Sequence, residues 1–241
     1  MSLLTSLVRS TLHSMGADIV RYNRKTSAEL RRDFILKNID ANVVLDIGAN
    51  KGTYAAMLRK HGYANKIISF EPLSEPFALL QQEAQSDPLW TAKNAAVGDQ
   101  DGETTINVSG HQTSSSLLPI SSMHTDAMPS SAYVTTEKIN IVRLDTVLPT
   151  LTESSDRIFA KIDVQGYEQY VLAGAQQSLP HIQGLEMELS LVPLYEGAPS
   201  YLSMLEQLNA AGFQLVSFEP VFQDANTGYL LQADGIFIRR D

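Results

Sequence analysis

The chain has 241 residues, 44% hydrophobic and 19% charged, enough apolar material for one globular domain with additions and too much for a disordered chain. A formal charge of −9 argues against sequence-independent nucleic-acid binding, which needs a basic face, so no nucleic-acid partner is expected. The absence of cysteine removes disulfides, thiolate nucleophiles and cysteine zinc sites, and fits a reducing, cytoplasmic setting.

Residues 1–40 read as a helical lead-in to a domain spanning 41–241. From Met1 to Met15 the pattern is amphipathic, with Leu4, Leu7, Val8, Leu12 and Met15 on one side. Arg9 interrupts the apolar core that a signal peptide requires, so the stretch is expected to pack on the domain or on a second copy of the chain. Arg21, Arg24, Lys25, Arg31 and Arg32 are expected on a solvated helix face. No apolar run approaches the ~18 residues of a membrane span, and none is expected.

Val43 to Ile47 is a short β-branched run, and Gly48-Ala49-Asn50-Lys51-Gly52 follows it. From Thr53 the spacing of Tyr54, Met57, Leu58 and His61 is helical, with Gly62 as the C-terminal cap. Strand, glycine turn and helix together bring free backbone N–H groups close to a ligand. The spacing Gly48-x-x-x-Gly52 lacks the further glycines that cradle a dinucleotide pyrophosphate. An acidic residue beside the turn, Asp46, suits a ligand carrying an ammonium group.

Lys66 to Glu71 reads as the second strand, stopped at Pro72, and Ser74 is expected to cap the next helix. A third strand is expected over 92–97, closed by Gly98 and Asp99. Thr104 to Val108 and Lys138 to Val142 alternate and are expected to pair as an inserted hairpin. The long Ser/Thr/Pro-rich stretch between them, 109–136, carries His111 and His124 and reads as a lid-like loop. Arg157 to Val164 and Leu185 to Leu189 are the fourth and fifth core strands, and 213–218 with 229–238 should close the sheet as an antiparallel hairpin. Strands alternating with helices imply a mostly parallel sheet.

Ligands of open α/β sheets bind at the carboxyl ends of the strands. Every such end here is acidic: Asp46, Glu71, Asp99, Asp163, and Glu186 with Glu188. Glu71 follows Asp46 by 25 positions, where an acid would hold a ribose hydroxyl pair.

Asp46 to Gly52, Phe70-Glu71-Pro72, Asn94 to Asp99, Lys161 to Glu168 and Leu194-Tyr195-Glu196-Gly197 together resemble the FkbM family of S-adenosyl-L-methionine-dependent methyltransferases. The resemblance implies a Rossmann-like class I fold, a mostly parallel seven-stranded sheet with an antiparallel last strand. It implies S-adenosyl-L-methionine as cofactor and O-methylation of a hydroxyl on a sugar, polysaccharide or natural product. On its terms Asp46, Gly48, Asn50 and Gly52 hold the methionine portion and Glu71 the ribose. Val97, Gly98 and Asp99 flank the adenine, and Asp163 lies beside the transferred methyl. Where many members carry Glu in the Lys-Ile-Asp-Val-Glu-Gly motif, this chain has Gln165. The candidates for catalysis are Asp163, Glu188 and His111, with Asp163 facing Glu188 across a gap and no metal required. A catalytically silent cofactor-binding scaffold and a nicotinamide oxidoreductase are the alternatives, the latter disfavoured by the missing glycines.

Overall fold

A computed structural model describes residues 3–111 and 113–240, and the side chains of residues 3–7, including Leu4 and Leu7, lie outside the described set. Two compact units result, residues 1–35 and 36–241, so the boundary falls inside a helix a few residues before the expected position. In the first unit α1 (Leu3–Ser14) is followed by a turn, and Arg9 of the helix pairs with Asp18 beyond it at 2.6 Å. Arg24 stacks over Phe34 at 4.0 Å, and Arg32 is buried, contrary to the solvated face expected for it. α2 (Ala28–Asn38) spans the boundary.

The second unit continues as β1 (Val43–Ile47), α3 (Thr53–Lys60), β2 (Lys66–Phe70), α4 (Ser74–Ala84), β3 (Trp90–Lys93), β4 (Ala96–Val97) and β5 (Gly102–Ser109). Then come α5 (Ser122–Ala127), β6 (Tyr133–Val142), α6 (Leu144–Val147), β7 (Ile158–Ile162), α7 (Glu168–Ala173), β8 (Ile182–Ser190), α8 (Tyr201–Ala210), β9 (Phe213–Gln223) and β10 (Leu230–Arg239). Seven strands form one sheet in the order β3-β2-β1-β7-β8-β10-β9, and only β10 runs against its neighbours.

β1 lies near the middle of the sheet, parallel to β2 and β7, and all five of its residues are buried. Strands covered on both faces read as continuous apolar runs, which is why this one was legible. Val43, Leu45 and Ile47 join a core with Val171 and Leu172 of α7 and Met204 and Leu208 of α8. Val44 and Asp46 point to the opposite face.

Two local expectations are corrected. The stretch 92–97 is not one strand: β3 ends at Lys93, and the Asn94 side chain donates to the carbonyls of Glu71 and Pro72, turning the chain out of the sheet. Ala96 and Val97 pair instead with β6, making a separate three-stranded sheet, β4-β6-β5, in which Thr104 sits opposite Ile139. Ser74 does not cap α4 with its hydroxyl. The N–H groups at that helix start go to carboxylates, Leu73 to Glu71 (2.9 Å) and Ser74 to Glu137 (2.9 Å).

The segment 109–136 contains α5 and a short 3₁₀ turn, Pro129–Ser131. It is tied down at several points. Ser116 exchanges backbone hydrogen bonds with Asn107, the Ser121 hydroxyl donates to the Pro193 carbonyl at 2.6 Å, and the Tyr133 hydroxyl donates to the Leu118 carbonyl at 2.6 Å.

Candidate active site

The carboxyl ends of β1, β2 and β7 open onto a cavity of about 470 Å³, within the range of small-molecule sites. Its walls are the turn Gly48–Lys51, Glu71 to Leu73, Ala95 to Val97, and Lys161 with Asp163 to Gln165; Tyr54 and Met57 of α3 complete the floor. Thr113, Ser115 and Leu117 of the inserted segment close it from the other side.

Gly48 has φ of 83°, and a Cβ there would stand 1.9 Å from the Asp163 carbonyl oxygen. That backbone approach joins the ends of β1 and β7, and only glycine permits it. The N–H groups of Gly48 and Ala49 both donate to the Phe70 carbonyl, which fixes the turn against β2. Gly52 (φ 85°) lies behind the turn, where a Cβ would meet Leu80 and Trp90 at 2.9 Å. It shapes the turn and does not line the cavity.

Glu71 is buried, and each carboxylate oxygen accepts one backbone N–H: Oε2 from Asn50 at 2.8 Å, Oε1 from Leu73 at 2.9 Å. Burial pushes its pKa up to about 7, against the pull of those two donors. Each oxygen keeps lone-pair capacity for a further donor, so a vicinal diol fits.

Asp46 does not line the cavity. It is fully buried, accepts the Ser69 hydroxyl at 3.1 Å, and leaves Oδ1 without a hydrogen bond. Ser69 in turn accepts the Trp90 indole N–H at 2.9 Å. Asp46, Lys161 and Glu186 stand side by side on β1, β7 and β8. Burial raises the Asp46 carboxyl above its ordinary range, and the Lys161 charge opposes that. Glu186 accepts the Tyr54 hydroxyl at 2.9 Å.

Asp163 lines the cavity. Its Oδ2 accepts from Lys161 Nζ at 2.9 Å and its Oδ1 from Gln165 Nε2 at 2.7 Å. Glu188 stands behind Gln165 and off the cavity, accepting from Gln165 (3.0 Å) and Gln232 (2.6 Å). Its pKa is raised well above the ordinary carboxyl value by burial first, then by the charges of Asp163 and Glu168. The expected gap between Asp163 and Glu188 is thus filled by an amide.

Of the other candidate residues, Val97 lines the cavity and His111, Gly98 and Asp99 do not. His111 is held in its own turn, its Nδ1 3.1 Å from the Thr113 hydroxyl, and it is Thr113 that reaches the wall. His124 is buried edge-on against Tyr195 at 5.2 Å, a packing role, and burial lowers its pKa. Gly98 sits behind Val97, where a Cβ would strike Ile141 at 2.6 Å, and exposed Asp99 accepts the Tyr167 hydroxyl at 3.3 Å. Lys161 and Tyr195 lie in the motifs that carry the family resemblance but had no role assigned to them, and Tyr54 and Gln232 were not singled out, because their partners stand far away in sequence. Among the described residues, no group of three or more His, Asp or Glu side chains is placed to hold a metal ion.

This strand order, with a single antiparallel strand and a glycine turn and acid at the β1 and β2 ends, defines a class I methyltransferase fold. The Methyltransferase FkbM domain family matches residues 46–215, and the chain belongs to that family. It is a methyltransferase, and its cofactor is S-adenosyl-L-methionine. No curated protein matches the chain in sequence. Among solved structures it is similar to TrmK of M. capricolum in complex with S-adenosyl-homocysteine (7% identity, 86% of this chain and 69% of that one, TM-score 0.47). It is also similar to TehB from Haemophilus influenzae (11% identity, 86% and 60%, TM-score 0.46) and to the methyltransferase domain of bacterial CtHen1-C (10%, 91% and 100%, TM-score 0.47).

The residues present fit that cofactor. The cavity has room for a nucleoside, Glu71 offers lone pairs to a diol, and Gly48 and Asn50 bring backbone to the wall without side-chain obstruction.

Proposed function

We propose that the chain is an O-methyltransferase acting on a hydroxyl of a sugar, polysaccharide or natural-product acceptor. The observation that carries this reading is the Asp163 carboxylate in the lining of a cavity that Thr113 and Ser115, both hydroxyl-bearing, also line. In this reading Glu71 binds the ribose, while Gly48 and Asn50 frame the methionine end and the buried Asp46 supports the strand end behind them. The cofactor supplies an electrophilic methyl group. Asp163 accepts the acceptor's hydroxyl proton as that oxygen becomes an ether, and Lys161 and Gln165 hold the carboxylate in place. Alignment of acceptor and methyl contributes much of the acceleration.

The alternative is a protein that binds the cofactor without turnover. It is favoured by one feature: both Asp163 oxygens already accept hydrogen bonds within the chain. A screen of hydroxyl acceptors read by adenosylhomocysteine release decides between them. Asp163→Asn is expected to cut turnover by at least ~100-fold while leaving adenosylhomocysteine affinity within a few-fold of the parent. Normal turnover in that variant removes Asp163 from the chemistry. Tight cofactor binding without product from any acceptor establishes the silent alternative.

A further inference from the structure

Gln165 meets more of the site than any other side chain described above. Its amide nitrogen donates to Asp163 Oδ1 (2.7 Å) and Glu188 Oε2 (3.0 Å), and its amide oxygen accepts the Tyr195 hydroxyl (2.7 Å). The reverse amide orientation would set a carbonyl against the ionised Asp163 carboxylate at 2.7 Å and an N–H group against the Tyr195 hydroxyl, so the amide ends are assigned from this network. The backbone carbonyl of Gln165 accepts the Ser116 hydroxyl at 2.6 Å, from the inserted segment. The residue is held at φ 54°, a left-handed conformation that a non-glycine side chain adopts at a cost.

The surroundings enforce this placement. Tyr195 is fully buried, and a Cβ at neighbouring Gly166 would stand 2.9 Å from its ring. His124 packs edge-on to the same ring. A continuous path therefore runs from His124 through Tyr195 and Gln165 to Asp163. Without a donor between them, Asp163 and Glu188 would be two close carboxylates, with Glu168 and Asp234 adding further negative charge around Glu188 and Lys161, paired to the far oxygen of Asp163 at 2.9 Å, offsetting part of it. Such a group demands a shared proton or a bound cation.

We propose that Gln165 is the positioning residue of the site: its amide takes the place between Asp163 and Glu188 that a bridging cation or proton would otherwise take, and so aims Asp163 at the cavity. This rests on the reading of Asp163 as proton acceptor. Gln165 also lines the cavity, and the role assigned to it here is the one it exerts through Asp163.

The test compares melting temperatures of the full chain and of Gln165→Glu, Gln165→Leu and Tyr195→Phe, each with EDTA or with millimolar Mn²⁺. The isosteric Gln165→Glu adds a third carboxylate whose folded pKa must lie above its unfolded value. The variant should therefore stay near the parent at about pH 5 and fall several degrees below it at about pH 8. Mn²⁺ should restore it at the higher pH and leave the parent unchanged. Gln165→Leu should be destabilised at both pH values without metal rescue, and Tyr195→Phe should show a milder version of the same loss. A Gln165→Glu protein with the parent's pH profile, or a parent stabilised by Mn²⁺ as much as that variant, overturns the proposal. Adenosylhomocysteine titration of the parent is run alongside. Failure to bind would overturn the methyltransferase reading of the cavity, while the pH and metal responses still decide what the amide does.

Discussion

At the scale of single residues, burial sets the chemistry of the site acids. Glu71 loses two backbone partners and any ribose contact when truncated, so Glu71→Ala should weaken adenosylhomocysteine binding by about 1–3 kcal/mol. Calorimetry on a folded variant checks this, and an unchanged dissociation constant would take Glu71 out of the cofactor site. Glu168 belongs to stability more than to binding. Its Oε1 accepts the N–H groups of Val164 and Gly166 at 3.2 Å, yet burial raises its pKa to about 7. A carboxyl raised from an ordinary value of 4.5 to about 7 gives its full contribution below the unfolded value and loses it as pH climbs through the folded one. The ligand-free protein should thus melt lower as pH rises from about 4.5 to about 7, and Glu168→Gln should flatten its share of that slope. A variant with the parent's slope would show that Glu168 does not titrate in this window.

Among the elements, the inserted segment decides what reaches Asp163. Its composition suggested a loop, but Ser116, Ser121 and Tyr133 anchor it to β5, to the stretch after β8 and to its own chain. We propose that closure over the acceptor is confined to the part between the cavity and the Ser116 anchor, Thr113 to Ser115. Amides there should exchange with solvent faster than those of β5 and β6, and adenosylhomocysteine should slow them. Equal protection with and without ligand would make the segment a fixed wall. The turn after β1 behaves differently. Gly48 brings its backbone so close to Asp163 that any side chain there would push β1 and β7 apart at their carboxyl ends.

For the molecule as a whole, selectivity follows from the shape of one turn. A dinucleotide needs backbone room for a pyrophosphate, and Gly48-x-x-x-Gly52 spends its second glycine on packing against Leu80 and Trp90. Adenosylmethionine and adenosylhomocysteine should therefore bind and NAD should not, as read by parallel titrations. Tighter binding of NAD would reverse the assignment of the cavity. No helix among the described residues is long and apolar enough to cross a membrane.

The sheet and its ligand edge were legible from local sequence alone. Strand periodicity, a glycine turn at φ > 0 and acids at strand ends are local facts, written within a few residues of each other and independent of distant partners. The same locality explains its errors. Ala92 to Val97 looked like one strand because nothing local announces that Asn94 will bond to the end of β2 and send Ala96 to another sheet. Only the tertiary structure placed Gln165 between Asp163 and Glu188, set His111 off the cavity and put Lys161 between Asp46 and Glu186. Those relations join residues from different strands, and they exist only once parallel pairing has fixed which residues stand side by side.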